Sequence, residues 1–95
     1  MIVGTCLIQL QLDGNRSLKD KRSQIKSLLA RLRREFNVTA AEVGRLDDWE
    51  TAEIGLAVVS NERAHVDRLL QQAVTWIENS RFDWQLVDYE IEILP

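Results

Sequence analysis

Apolar residues recur along this chain with a period of two or with helical spacing, in the order strand, helix, strand, strand, helix, strand. This is the split βαβ pattern. It predicts an α+β domain of ferredoxin-like class, a four-stranded antiparallel sheet with both helices on one face. Two further observations agree. Turn-forming residues separate the periodic segments. Ninety-five residues with 45% hydrophobic content suffice for one domain, residues 1–95, with its own core.

The first strand is read from Ile2 to Leu12. Ile2, Cys6, Ile8, Leu10 and Leu12 alternate with Val3, Thr5, Leu7, Gln9 and Gln11, and the second set becomes polar at its end. Asp13, Gly14 and Asn15 break the strand. Ser17 then opens a helix, with Asp20 at the spacing of an S-x-x-D cap. Leu18, Ile25, Leu28, Leu29, Leu32 and Phe36 give that helix one apolar stripe, and Asn37 is its expected stop. Val38 to Gly44 is a short strand. Arg45 to Glu50 is a polar turn containing Trp49. Thr51 to Val59 is the third strand.

Ser60 or Asn61 is the expected cap of the second helix, and Glu62 suits the positive end of its dipole. Val66, Leu69, Leu70, Ala73 and Ile77 form its stripe. Asn79 to Asp83 turns the chain into a last strand, Trp84 to Leu94. There Val87, Tyr89, Ile91 and Ile93 alternate with Asp88, Glu90 and Glu92. The face of the sheet away from the helices is therefore expected to carry Gln9, Gln11, Glu53, Asp88, Glu90 and Glu92, with Val3, Leu7, Ala57 and Val59 among them.

Charge is distributed unevenly over this frame. Residues 1–41 hold eight bases and three acids, net +5; residues 42–95 hold four bases and twelve acids, net −8, within a total of −3. All eight bases of the first segment lie between Arg16 and Arg34, opposed there only by Asp20. At 100° per residue, Lys19, Arg22, Lys26 and Arg33 fall within about 60° of one another, flanking the leucine stripe, with Arg16 and Arg34 further round. Such a line matches successive phosphates of a nucleic-acid backbone. Its competing reading is a solvated helix face, since Lys and Arg are good helix formers whose stems cover apolar edges. The expected nucleic-acid-binding residues are thus Arg16, Lys19, Arg22, Lys26, Arg33 and Arg34. The carboxylate-rich sheet lacks the aromatic residues on which RNA-reading sheets stack bases, so contact is expected on the helical side.

Other constellations are sparse. Cys6 is the only cysteine, so no intrachain disulfide is available, and a reducing, cytoplasmic home is the simplest expectation. Met1 to Leu12 lacks the basic and apolar regions of a signal peptide, and no stretch approaches a membrane span. His65 has no partners at metal-ligand spacing. No nucleophile–base pair or paired carboxylates indicate catalysis, so neither enzyme activity nor a cofactor is expected. Gly14 to Ser17, with Arg16 at a helix start, gives a minor phosphate-hydrolase reading without the Gly-rich cradle of acylphosphatases. Trp49 is expected to pack over a sheet edge, and Trp76 and Trp84 to be structural. A second class of function, a protein-interaction or homodimerisation module, follows from the complementarity of basic helix and acidic sheet.

Ser17-Leu18-Lys19-Asp20-Lys21-Arg22 resembles the S-L-K-[ED]-K-R signature of the YlxP-like family of small bacterial proteins of unknown function. Phe36-Asn37-Val38-Thr39, Glu42-Val43-Gly44, Asp48 with Trp49, then Gly55, Ala57 and Val59-Ser60 match its middle segment in order. The resemblance implies a ferredoxin-like fold and no established activity or cofactor. Members are often encoded beside translation-initiation and ribosome-maturation factors, which implies RNA or a ribosomal subunit as partner.

Overall fold

The computed structural model describes residues 1–80 and 83–95. Its elements are β1 (Ile2–Leu12), α1 (Leu18–Glu35), β2 (Thr39–Gly44), β3 (Thr51–Ser60), α2 (Arg63–Glu78) and β4 (Trp84–Leu94). All pairings are antiparallel and the spatial order is β2-β3-β1-β4, the ferredoxin-like arrangement. Alternation along the strands sends Cys6, Ile8, Leu10, Ile54, Leu56 and Val58 to the helical side. There they meet Ile25, Leu28 and Leu32 of α1 and Val66, Leu70, Ala73, Val74 and Ile77 of α2 in one core.

Both helix starts are held by local chemistry. The Asp20 N–H donates to Ser17 Oγ at 3.1 Å, and the Arg16 N–H donates to Asp20 Oδ2 at 3.0 Å. The first bond is the cap expected from the S-x-x-D spacing; the second reaches one residue further back than the Ser17 N–H that a full capping box would use. At α2 the expectation needs correction. The cap position is Glu62, without a side-chain capping bond; Ser60 Oγ instead accepts the Glu62 N–H at 3.2 Å, forming a small turn ahead of the helix. Gly4 lets α2 approach β1, because a Cβ there would lie 2.2 Å from Val66 Cγ1. Gly14 turns the chain out of β1 at φ +80°, a conformation that side chains disfavour.

The last strand does not alternate from end to end. Gln9 pairs with Asp88 but Leu10 pairs with Leu86, so Val87 is an extra residue in a β-bulge. The bulge reverses the parity. Trp84 and Leu86 face the helices on one side of it, and Tyr89, Ile91 and Ile93 face them on the other. Val87 itself is 65% exposed. Within the expected turn from Asn79 to Asp83, Arg81 and Phe82 lie outside the described residues.

Candidate nucleic-acid interface

The orientation of α1 follows from what its flanks touch. Gln24 donates to the Asp83 carbonyl at 2.8 Å and accepts from Asn15 Nδ2 at 2.9 Å, turning that flank toward the start of β4. Arg33, on the opposite flank, donates through Nη2 to the Ala40 carbonyl of β2. The line Lys19, Arg22, Lys26, Arg33 therefore runs along the β2 side of the molecule, and all four residues are exposed. Arg16 and Arg34 are exposed further round the helix. Lys19, Arg22 and Lys26 form no ion pair among the described residues; Arg33 both presents charge and ties α1 to the edge strand.

Lys21 leaves this surface. Although it belongs to the basic run, it is 1% exposed. Its ammonium lies 3.1 Å from Glu42 Oε2 and donates to the Arg45 carbonyl at 2.5 Å. Arg45 makes that carbonyl available by adopting φ 55°, the left-handed region, at the start of the hairpin. Its carbonyl also accepts the Asp48 N–H at 3.1 Å. Asp48 then accepts from the Glu50 N–H at 2.9 Å and from Thr51 Oγ1 at 2.7 Å. These two bonds, in that order, hold its carboxyl below the usual 3.8, with smaller help from Lys21 and Arg45. Lys21 thus clamps the first turns of α1 to the β2–β3 hairpin. Helical spacing alone points to it, because Lys21 falls between Leu28 and Leu32 on the wheel, inside the apolar stripe.

Trp49 sits at the hairpin tip, 47% exposed, in a cleft it shares with Gln11 and Leu12 at the end of β1, and its backbone carbonyl accepts from Asn15 Nδ2 at 3.0 Å. Trp84 is buried, and Trp76 packs edge-on to Phe36 with ring centroids 6.2 Å apart. At the start of α1, Ser17 Oγ takes the Asp20 N–H and Asp20 takes the Arg16 N–H just ahead of the cap, so both donors are already paired within the chain. Cys6 is buried, and desolvation pushes its thiol up to about 11 against a weaker opposing bond from the Glu90 backbone. That is the environment of an inert core thiol. No cluster of three or more His, Cys, Asp or Glu suited to a metal occurs among the described residues, and no helix there is long and apolar enough to cross a membrane.

The family profile described as "Protein of unknown function (DUF503)" matches residues 3–91. The chain is 36% identical over 63 residues to the uncharacterized protein YlxP of Bacillus subtilis (strain 168), a match covering 66% of this chain and 68% of that protein. Among solved structures it is similar to a REP-associated tyrosine transposase bound to a REP hairpin, with a TM-score of 0.44 and 14% identity. That likeness covers 97% of this chain, which spans only 56% of the transposase chain. Matched by the profile over nearly its whole length, the chain belongs to the DUF503, or YlxP-like, family of proteins of unknown function.

Proposed function

We propose that the protein is a non-enzymatic RNA-binding protein, associated with the ribosome, that contacts phosphates through the β2-side flank of α1. One observation carries this reading. In a chain of net charge −3, Lys19, Arg22 and Lys26 stand exposed on one helix flank without an ion-pair partner among the described residues. Burying Lys21 removes one charge from the basic run but leaves that line intact. The ribosomal assignment draws on the genomic setting of YlxP-like proteins, the RNA assignment on the line of cations.

The test is co-sedimentation with purified small ribosomal subunits at low and physiological salt, beside fluorescence titration with a labelled RNA oligonucleotide. Wild type is compared with a Lys19→Ala, Arg22→Ala, Lys26→Ala variant, which leaves the anchoring Arg33 and Lys21 in place. Binding by wild type should weaken steeply with salt. The triple variant should lower the log–log salt slope by about 2 to 3 units. An unchanged slope removes α1 as the phosphate-contacting surface.

A further inference from the structure

The sheet face opposite the helices is unlike the rest of the molecular surface. Cross-strand register arranges it in rows: Ala41, Gly55, Leu7 and Glu90 in one, Thr39, Ala57, Thr5 and Glu92 in the next. Beyond these lies an apolar row of Val59, Val3 and Leu94, and at the other end a polar row of Glu53, Gln9 and Asp88. The small residues Gly55 and Ala57 form the floor of an open trough of about 490 Å³. Val43 and Leu7 form its banks, with Glu90 and Glu92 along one rim.

Every charge on this face is negative. Glu53, Asp88, Glu90 and Glu92 belong to it, and none of the four strands contains Lys or Arg. Along β4, Asp88, Glu90 and Glu92 follow one another at steps of about 7 Å. That spacing is close to the roughly 6 Å between residues i and i+4 of a helix. An apolar trough beside a carboxylate ladder is complementary to a helix with an apolar stripe flanked by Lys or Arg.

We propose that this open face is a docking site for a cationic amphipathic helix of a partner protein, with its apolar side chains in the trough and its Lys or Arg side chains against Asp88, Glu90 and Glu92. A second copy of this chain fits less well. Face-to-face stacking would enclose both sets of carboxylates with no cation from either sheet, an arrangement of like charges that is strongly disfavoured. Nucleic acid fits less well for the same reason, and the described face offers no aromatic ring for a base. The proposal is independent of the reading of α1, which uses the opposite side of the sheet.

The probe is a synthetic helical peptide of leucine and lysine, with leucines at i, i+3, i+4 and i+7. It is titrated into the ¹⁵N-labelled protein beside two controls, one with glutamate for lysine and one with serine for leucine. The leucine–lysine peptide should shift the amides of Thr5, Gly55 and Ala57, while both controls bind at least tenfold more weakly. Glu90→Lys with Glu92→Lys should weaken binding at least tenfold, whereas Asp47→Lys with Glu50→Lys at the hairpin tip should not. The exposed positions permit substitution without loss of fold, which the same spectra verify. Equal losses from both reversals, equal binding of the serine control, or shifts confined to another surface would each overturn the proposal. So would a salt-stable dimer in sedimentation that Leu7→Arg dissociates, since the face would then belong to a second copy.

Discussion

Lys21 sits at about 200° on the α1 wheel when Lys19 is set to zero, with Leu28 at about 180° and Leu32 at about 220°. A cation at that angle must either break the helix–sheet contact or find partners inside it. Here Glu42, itself only 16% exposed, and the Arg45 carbonyl provide them. Removing one member of such a pair strands the other. Lys21→Ala should therefore lower stability by about 3 kcal/mol in urea unfolding, and Lys21→Met with Glu42→Leu should recover most of that loss. An effect of Lys21→Ala no larger than that of exposed Lys19→Ala, under about 0.5 kcal/mol, would mean the pair is not a clamp. Cys6 makes a second residue-level prediction. Its folded pKa is raised to about 11 from 9.0, so the folded state keeps the proton that the unfolded chain releases. The associated stability is complete below pH 9 and declines as pH rises toward 11, by about 2 to 3 kcal/mol. The stability difference between wild type and Cys6→Ala should shrink over that window. A difference that stays constant from pH 8 to 10.5 would contradict the assignment.

Among the elements, the approach of α2 to β1 depends on one missing side chain. A methyl group at Gly4 would meet both Val66 and Leu70, so Gly4→Ala must push α2 outward or force both side chains from their rotamers. The expected cost is about 1 to 3 kcal/mol, read as a lower urea midpoint at unchanged slope. A double variant Gly4→Ala, Val66→Ala that loses less stability than the two single variants added together would locate the strain at that contact, whereas a neutral Gly4→Ala would show that the helix has room to spare. The β4 bulge acts at the same scale. By shifting parity at Val87 it lets Trp84 and Leu86 enter the core at one end while Ile91 and Ile93 enter it at the other. It also leaves the carboxylates of Asp88, Glu90 and Glu92 together on the open face. The edge strand is bent there and lined with charge, two features that discourage pairing with another edge.

Over the whole molecule, the helices and the sheet divide the charge between them. Eight of the twelve Lys and Arg residues belong to α1 and the turn before it, and seven of these remain outside the core. Every charge on the open sheet face is acidic. The two surfaces lie on opposite sides of one layer of strands, so the anionic and cationic partners proposed for them would not compete. This division underlies both the salt-dependent RNA binding proposed for α1 and the peptide binding proposed for the sheet. Each should be lost in a different set of variants.

The order of elements, the Ser17 cap, the leucine stripe of α1, the buried Cys6 and the acidic open face were all legible in the sequence. Each rests on spacing along one segment, which local geometry converts directly into a face or a cap. The tertiary structure decided the features that need two distant segments to meet. The wheel places Lys21 inside the leucine stripe, but its partners, Glu42 and the Arg45 carbonyl, come from a segment more than twenty residues away and were fixed only by the fold. The place of Trp49, half-exposed beside the end of β1 with its carbonyl bonded to Asn15, joins segments 34 residues apart. The bulge at Val87 is a matter of register between β4 and β1, which a run of alternating residues does not encode by itself. The trough likewise exists only because small residues of β3 lie between larger ones on its neighbours, a juxtaposition set by strand pairing across dozens of residues.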